Sequence, residues 1–364
     1  RAFAHCDVLV IGAGPTGLMA ALAAADAGAD VILAEEDSHV GGRLLSETEE
    51  VGGMPGAQWV ASILARLTEH PNVRVMERTT VTGAYDGGMY GALERVALHD
   101  APSDAPPECF WRISAKRAVL AAGALERSIA FPMNDRPGVM QASAVRAYLN
   151  RWGVSPGRRV AVFANNDDGH RTASDLAAAG VDVAAVIDSR PEATASGDWA
   201  FHAGAEVVGT KGRLGLTEIA VRTAGSTTTV QADCLAVSGG WNPVVHLTCH
   251  MNGRPLWNED LSAFLPVSDA VPGLVAAGAA NGTFGTADCL ADGAKVGSEA
   301  AEALGFKAAS TEMPEAGSAP YTIQPLWAVD EPGRAWLDLQ NDVTTKDIKL
   351  AARENFRSVE HMKR

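Results

Sequence analysis

Apolar positions along this chain fall in short unbroken runs, separated by stretches with helical spacing. That alternation is expected of an α/β protein with parallel strands buried on both faces. The first run, Val8–Ile11, leads into a glycine turn and an alanine-rich stretch, and then into a second run, Val31–Ala34. This order predicts strand, helix and strand. Beyond it the pattern predicts a helix over Ala57–Thr68, a strand over Val73–Glu77, and a strand pair over Thr79–Tyr85 and Leu93–Leu98. The Pro- and Asp-containing stretch Ala101–Glu108 reads as a surface loop. The strand Arg112–Ala122 then ends in a small-residue turn at Gly123, where a backbone can pass close beneath a nucleotide.

A second series of the same kind opens near Arg158, with strand Arg159–Ala164, helix Thr172–Ala179 and strand Val181–Ile187. An apolar run at Val271–Gly282 and a helix over Ala291–Leu304 resume the first series. The expected fold is therefore α/β, with two Rossmann-like units, the second inserted in the first. On this reading residues 1–157 and 241–306 form the first dinucleotide-binding domain, and 158–240 a second, degenerate one. Residues 307–364 are a linker with a C-terminal helical extension. Its Pro/Ala/Ser-rich part, Ala308–Pro325, reads as the linker, and Asp342–Lys363 has helical periodicity through Ile348, Ala352 and Phe356.

At 364 residues, 47% apolar and 20% charged, the chain has the size and composition of a soluble two-domain protein. Its net charge of −14 argues against a nucleic-acid partner, whose phosphates would repel it. No apolar run approaches the roughly 20 residues that cross a bilayer, so no membrane association is expected. The five cysteines lie far apart, which suits free thiols in a reducing cytoplasm. The opening RAFAHCD has neither an initiator Met nor a signal-peptide pattern, and the last helical pattern stops on Lys363-Arg364. We expect a processed or truncated start and a natural protein that continues.

The candidate chemistry lies in the first series. Gly12-x-Gly14-x-x-Gly17 sits between a strand and a helix that opens on Pro15-Thr16. Gly12 permits a tight turn, Gly14 lets the backbone approach a pyrophosphate, and Gly17 lets helix and strand pack closely. The helix N-terminus offers unpaired N–H groups and a partial positive charge. Glu35 follows Gly17 by 18 residues, the spacing of a carboxylate that holds an adenosine ribose, with Glu36 beside it. Gly42 and Arg43 follow in a turn, where Arg43 lies either at the ribose or pyrophosphate or on the surface. Val81 either contacts adenine through its backbone or fills a strand core. Ala122, Gly123 and Gly278 complete the expected cofactor-binding set. In the second series the corresponding turn reads Asn165-Asn166-Asp167-Asp168-Gly169. Carboxylates there oppose an anion, so no second functional dinucleotide site is expected.

Other constellations are weaker. His246-x-x-Cys249-His250 has soft donors on one helical face, but no second pair lies at metal spacing, and packing or subunit contact is expected instead of a metal. No nucleophile elbow or Cys-x-x-Cys is present. The pairs Glu126-Arg127 and Asp135-Arg136 read as ion pairs or helix-end contacts organising the loop after Gly123, or as part of a flavin-facing interface. Trp241 and Trp257 are interface anchors or core.

Five segments together resemble the α subunit of the heterotetrameric sarcosine oxidases. They are Ala121–Met140, Tyr148–Val154, Val162–Leu176, Ser238–Leu247 and Leu339–Arg364, and the resemblance runs over nearly the whole chain. It implies a two-domain fold of the pyridine nucleotide-disulfide reductase type. It also implies an NAD-carrying α subunit, a partner β subunit with FAD at the amine-oxidising site, an FMN shared at the interface between them, and smaller subunits besides. Such complexes oxidise sarcosine to glycine, passing the one-carbon unit to tetrahydrofolate and electrons to oxygen. Full-length members have a further small domain before the first strand and a folate-binding domain after the last segment. Flavin reductases of this architecture carry an aspartate after the late strand, whereas this chain reads Ala277-Gly278-Ala279. That difference favours NAD over FAD, and Glu35 favours NAD over NADP. Chemistry in these complexes belongs to the flavins, so no catalytic acid or base is assigned here. The alternatives are a subunit of a related amino-acid or opine dehydrogenase, and a self-sufficient FAD/NADH-dependent reductase.

Overall fold

The computed structural model describes residues 1–97 and 106–362, so Leu98, most of the Ala101–Glu108 loop and Lys363 lie outside the described residues. The chain forms two compact units, one of Arg1–Leu125 with Asn242–Pro320 and one of Glu126–Trp241 with Tyr321–Arg364. Both are α/β with Rossmann-like sheets, and the second interrupts the first in sequence.

In the first unit, β1 (Ala2–Ile11), α1 (Pro15–Asp26), β2 (Val31–Ala34), α2 (Gly56–Glu69) and β3 (Val73–Met76) are followed by β4 (Thr79–Tyr85), β5 (Met89–Arg95) and β6 (Glu108–Leu120). The sheet order is β3-β2-β1-β6-β5-β4. The pairs β3/β2, β2/β1 and β1/β6 are parallel, and β6/β5 and β5/β4 antiparallel. β5 lies along the first half of β6, and the late strand Leu274–Ala276 pairs with its last three residues, Ala118–Leu120. Successive residues of β1 face opposite cores, as period-2 geometry requires: Val8 and Val10 pack under α1 and α2, Leu9 and Ile11 against the other face.

The small side chains of α1 reflect burial on every side, since Pro15 through Ala25 are all buried. The late helix Thr286–Glu302 crosses it through two glycines one turn apart. A Cβ at Gly293 would lie 2.1 Å from the Thr16 carbonyl oxygen, and one at Gly297 2.3 Å from that of Ala20. Each glycine costs about 1 kcal/mol of helix propensity, which the close backbone packing offsets.

The second unit has a five-stranded parallel sheet in the order Val139–Gln141, Cys234–Ser238, Arg159–Ala164, Asp182–Asp188, Phe201–Ala203. The antiparallel strands Glu206–Lys211, Glu218–Thr223 and Ser226–Gln231 form a separate sheet. The division at residue 126 differs from the expected one at 158. Val139–Gln141 adds a strand beside Cys234–Ser238, and Ala142 and Val145 pack with Val160 and Val162. The expected linker and helical extension, residues 307–364, divides between the two units. The backbone near Ala316 pairs with Val51 in the first unit, whereas residues from Tyr321 onward belong to the second. The helical stretch expected over Asp342–Lys363 is two helices, Thr345–Arg353 and Val359–Met362, separated where Asn355 takes the left-handed φ of 68°. Among the described residues no helix is long and apolar enough to cross a membrane.

Candidate dinucleotide site

Strand register builds the site in the first unit. Ile11 pairs with Ala34 on one side and Leu120 on the other, so β1, β2 and β6 end level with one another. Gly12, Glu35 and Ala121 therefore leave the sheet side by side. The Gly12 N–H donates to the Ala34 carbonyl and the Ala121 N–H to the Ile11 carbonyl, each at 2.8 Å. Gly12 has φ +96°, and a Cβ on it would stand 2.5 Å from the Ala121 carbonyl oxygen. A Cβ on Gly17 would stand 1.8 Å from the Gly12 carbonyl oxygen. These two glycines make the turn itself. Gly14 differs, because the nearest atom to a Cβ there is the Gly42 Cα at 3.9 Å. The fold itself would admit a side chain there.

Gly14 is the N-cap of α1, with Pro15 at its first position and no side chain capping the end. The N–H groups of Thr16 and Gly17 precede the first intrahelical donor, Leu18, whose N–H reaches the Gly14 carbonyl at 2.9 Å. A second glycine turn closes over this end. The Gly41 N–H donates to the Ala13 carbonyl at 2.8 Å, and a Cβ on Gly42 would meet the Gly14 Cα at 2.8 Å. An uncapped helix end beneath two glycine backbones, with open space at Gly14, fits a pyrophosphate.

The Glu35 side chain is buried at 7% exposure. One carboxylate oxygen accepts the Ala13 N–H at 2.7 Å and the other the Asp37 N–H at 2.9 Å. Burial pushes its carboxyl above the usual range, and these two donors partly counter that. Each oxygen keeps a second lone-pair site for a hydroxyl. Glu36, one residue on, is exposed.

The remaining expected residues divide. Arg43 is partly buried, paired with Glu47, and donates to the Phe284 carbonyl at 3.2 Å. It therefore sits at the edge of the glycine turns, tied to its neighbours. Val81 packs against the Leu9/Ile11 core, and β4 begins at Thr79, whose N–H donates to the Glu35 carbonyl at 2.7 Å. Ala122 and Gly123 follow β6, and Gly123 has φ +72° with nothing within 4 Å of a Cβ. Gly278 touches the helix end directly, since a Cβ there would lie 2.0 Å from the Thr16 Oγ1.

Two contacts here have no local sequence signal. The Asp292 carboxylate, on the late helix, accepts the Gly278 N–H at 2.6 Å. Thr286 donates to Glu49 across 237 residues. The late strand that leads into these groups docks parallel on β6.

The His246–His250 segment is a five-residue helix whose two histidines and Cys249 are not buried. Among the described residues no group of three or more His, Cys, Asp or Glu side chains is placed to hold a metal. In the second unit Glu126 makes a helix-end contact, accepting the Ser143 N–H at 2.7 Å, while Arg127 donates to the Gly239 carbonyl at 3.1 Å and stacks on Trp327. Asp135-Arg136 is organised by the arginine, which donates to Thr210 Oγ1 at 3.1 Å. Trp257 packs edge-on against Phe264.

Level strand ends, a glycine turn and a buried carboxylate beside it belong to an α/β fold of the pyridine nucleotide-disulfide reductase type. Residues 7–90 match the FAD dependent oxidoreductase family, and residues 332–364 match the Sarcosine oxidase A3 domain. The α subunit of sarcosine oxidase from Rhizobium meliloti (strain 1021) is 46% identical over 376 residues, covering 100% of this chain and 38% of that protein. The chain belongs to the sarcosine oxidase α-subunit family, and it spans about two fifths of the length of the curated members it matches. One subunit of opine oxidase from Rhizobium meliloti is 25% identical over 295 residues, covering 72% of this chain and 55% of that protein. L-proline dehydrogenase from P. horikoshii shares the fold with a TM-score of 0.72 at 21% identity, covering 100% of this chain and 70% of that one. T. acidophilum thioredoxin reductase does so with a TM-score of 0.63 at 17% identity, covering 83% and 99%.

Proposed function

We propose that the first unit holds NAD, and that the chain is the NAD-binding portion of an α-type subunit in a sarcosine oxidase complex. The choice of nucleotide is carried by two features together, the Glu35 carboxylate and the absence of a carboxylate at position 279 in the late turn. Glu35 offers lone pairs to ribose hydroxyls and repels a 2′-phosphate. The late turn has alanine at 279, and the nearby Asp292 carboxylate is engaged with the Gly278 N–H. The position after Gly278 thus offers no carboxylate to a ribityl chain. Thr16 and Gly17 hold the pyrophosphate through their N–H groups, and Gly14 leaves room for it.

In this reading the complex oxidatively demethylates sarcosine to glycine. FAD in a β-type partner and an FMN at the shared interface supply the redox chemistry, tetrahydrofolate takes the one-carbon unit, and oxygen takes the electrons. This chain orients and braces, and none of its residues is assigned as catalytic acid or base. Its free, scattered cysteines favour a cytoplasmic setting. The second reading, a self-sufficient flavin reductase, draws on the family match over residues 7–90.

The purified chain distinguishes the two. We expect it to be colourless and to oxidise neither sarcosine nor NADH until the flavin-bearing partner is added. A yellow chain that oxidises NADH unaided overturns the proposal.

A further inference from the structure

The second unit keeps the strand-turn-helix frame of a dinucleotide site: Asn165 and the N-cap Asn166 join the strand Arg159–Ala164 to the helix Asp167–Ala178, and the turn runs into its first residues, Asp167–Gly169. The N–H groups that would meet a phosphate there are already used. Asn166, fully buried, accepts the Asp168 N–H at 3.0 Å and the Gly169 N–H at 3.3 Å through its side-chain oxygen. The Asp167 N–H donates to the Thr322 carbonyl at 3.3 Å, and the Gln324 N–H to the Asn165 carbonyl at 3.0 Å. Asn166 and Ile323 form an antiparallel bridge. A stretch of the chain's own backbone lies along the turn.

The acidic substitution in the turn serves this occupant. One Asp167 carboxylate oxygen accepts both the Thr322 N–H and the Thr322 hydroxyl, each at 2.7 Å. The other pairs with Arg190 at 2.7 Å. Arg190 also donates to the Thr322 carbonyl at 3.1 Å and to its Oγ1 at 2.8 Å. Arg190 is anchored by Asp188, at the end of the next strand, where a nucleotide ribose would be read. The third strand end contributes Gly240, with φ +96°. The space of its missing Cβ is taken by Ile323 Cδ1 at 2.4 Å and bordered by Tyr321 Oη at 3.2 Å. All three strand ends that frame such a crevice therefore converge on residues 321–324.

We infer that the dinucleotide crevice of the second unit has become a clasp for the chain's own segment Tyr321–Gln324. The clasp excludes a nucleotide from this unit. It also fixes the start of the C-terminal region, within which residues 332–364 match the Sarcosine oxidase A3 domain. Asp167 and Arg190 are the clasp's positioning residues.

Amide hydrogen exchange on the intact chain tests this. The amides of Thr322 and Gln324 should exchange as slowly as those of the strand Arg159–Ala164. Added NADH should leave the exchange of residues 165–169 unchanged. In Asp167→Ala, and in the milder Thr322→Val, exchange across 321–324 should rise at least tenfold while Cys234–Ser238 stays protected. Fast exchange of 321–324 in the unaltered protein, protection of 165–169 by NADH, or unchanged exchange in both variants would overturn the clasp. None of these readouts depends on which nucleotide the first unit holds.

Discussion

Glu35 and Ala13, 22 residues apart in sequence, are joined by a buried 2.7 Å hydrogen bond from the Ala13 N–H to the Glu35 carboxylate. The residue that would hold the ribose thus also holds the turn that would cradle the pyrophosphate. Losing that acceptor strands a buried backbone donor, at a cost of roughly 1–3 kcal/mol. Glu35→Leu removes the acceptors for both Ala13 and Asp37, and we expect it to lower stability by about that amount and to abolish nucleotide retention. Urea unfolding together with nucleotide content after gel filtration checks both. Retention at the wild-type level would show that the carboxylate does not bind the ligand.

Gly14 and Gly17 separate ligand binding from folding. A Cβ at Gly14 is clear of the protein, whereas one at Gly17 would lie 1.8 Å from the Gly12 carbonyl oxygen. Gly14→Ala should keep its melting temperature when nucleotide-free and lose affinity at least tenfold. Gly17→Ala should be destabilised by about 3 kcal/mol or fail to fold. Calorimetry and thermal melts on the pair give the comparison, and equal behaviour of the two variants contradicts the assignment.

Glu126 makes the second unit sensitive to pH. Its burial pushes the carboxyl from 4.5 up to about 7, against the Ser143 N–H and the two serine hydroxyls around it, with Asp168 adding to the rise. Between those values the folded chain keeps a proton that the unfolded chain releases. Stability should therefore fall as pH rises through that window and level off above it. The full effect is about 3 kcal/mol. Glu126→Gln, which keeps an acceptor for Ser143, should flatten the profile and be the more stable form at alkaline pH. Parallel unfolding profiles for the two proteins would refute this.

Much of this was legible in the chain itself, for a physical reason. The glycines at 12, 14 and 17 and the carboxylate at 35 act through neighbours one strand or one turn away, so their spacing carries the geometry. The strand Arg159–Ala164 is equally plain, because a short apolar run bounded by turns has few other conformations, and Thr79–Tyr85 shows itself by its β-branched and aromatic residues. What lay hidden depends on contacts between remote segments. Val139–Gln141 is too short to show a period, so the apolar pattern does not reveal that the second compact unit begins near residue 126. Tyr321–Gln324 looks like linker by composition, and only its hydrogen bonds to Asn165 and Asp167 show that it is held. Asp292 has no sequence signal either, since its spacing from Gly278 follows no turn or helix period.

Asp292 yields its own expectation. Its carboxylate fixes the Gly278 N–H at 2.6 Å, and Gly278 in turn lies against Thr16 at the end of α1. Asp292→Ala should loosen the late turn, costing roughly 1 kcal/mol, and should speed nucleotide release several-fold. Asp292→Asn, still an acceptor, should restore most of both. Stopped-flow displacement of bound nucleotide measures the rates, and an Asn variant as impaired as the Ala variant would assign the effect to charge and not to the hydrogen bond.

The central claim is the identity of the nucleotide in the first unit, and native mass spectrometry of the purified chain, followed by denaturation and analysis of what is released, tests it most directly. The account predicts one colourless NAD per chain and none in Gly14→Trp. Release of FAD, or of two nucleotides per chain, would contradict it.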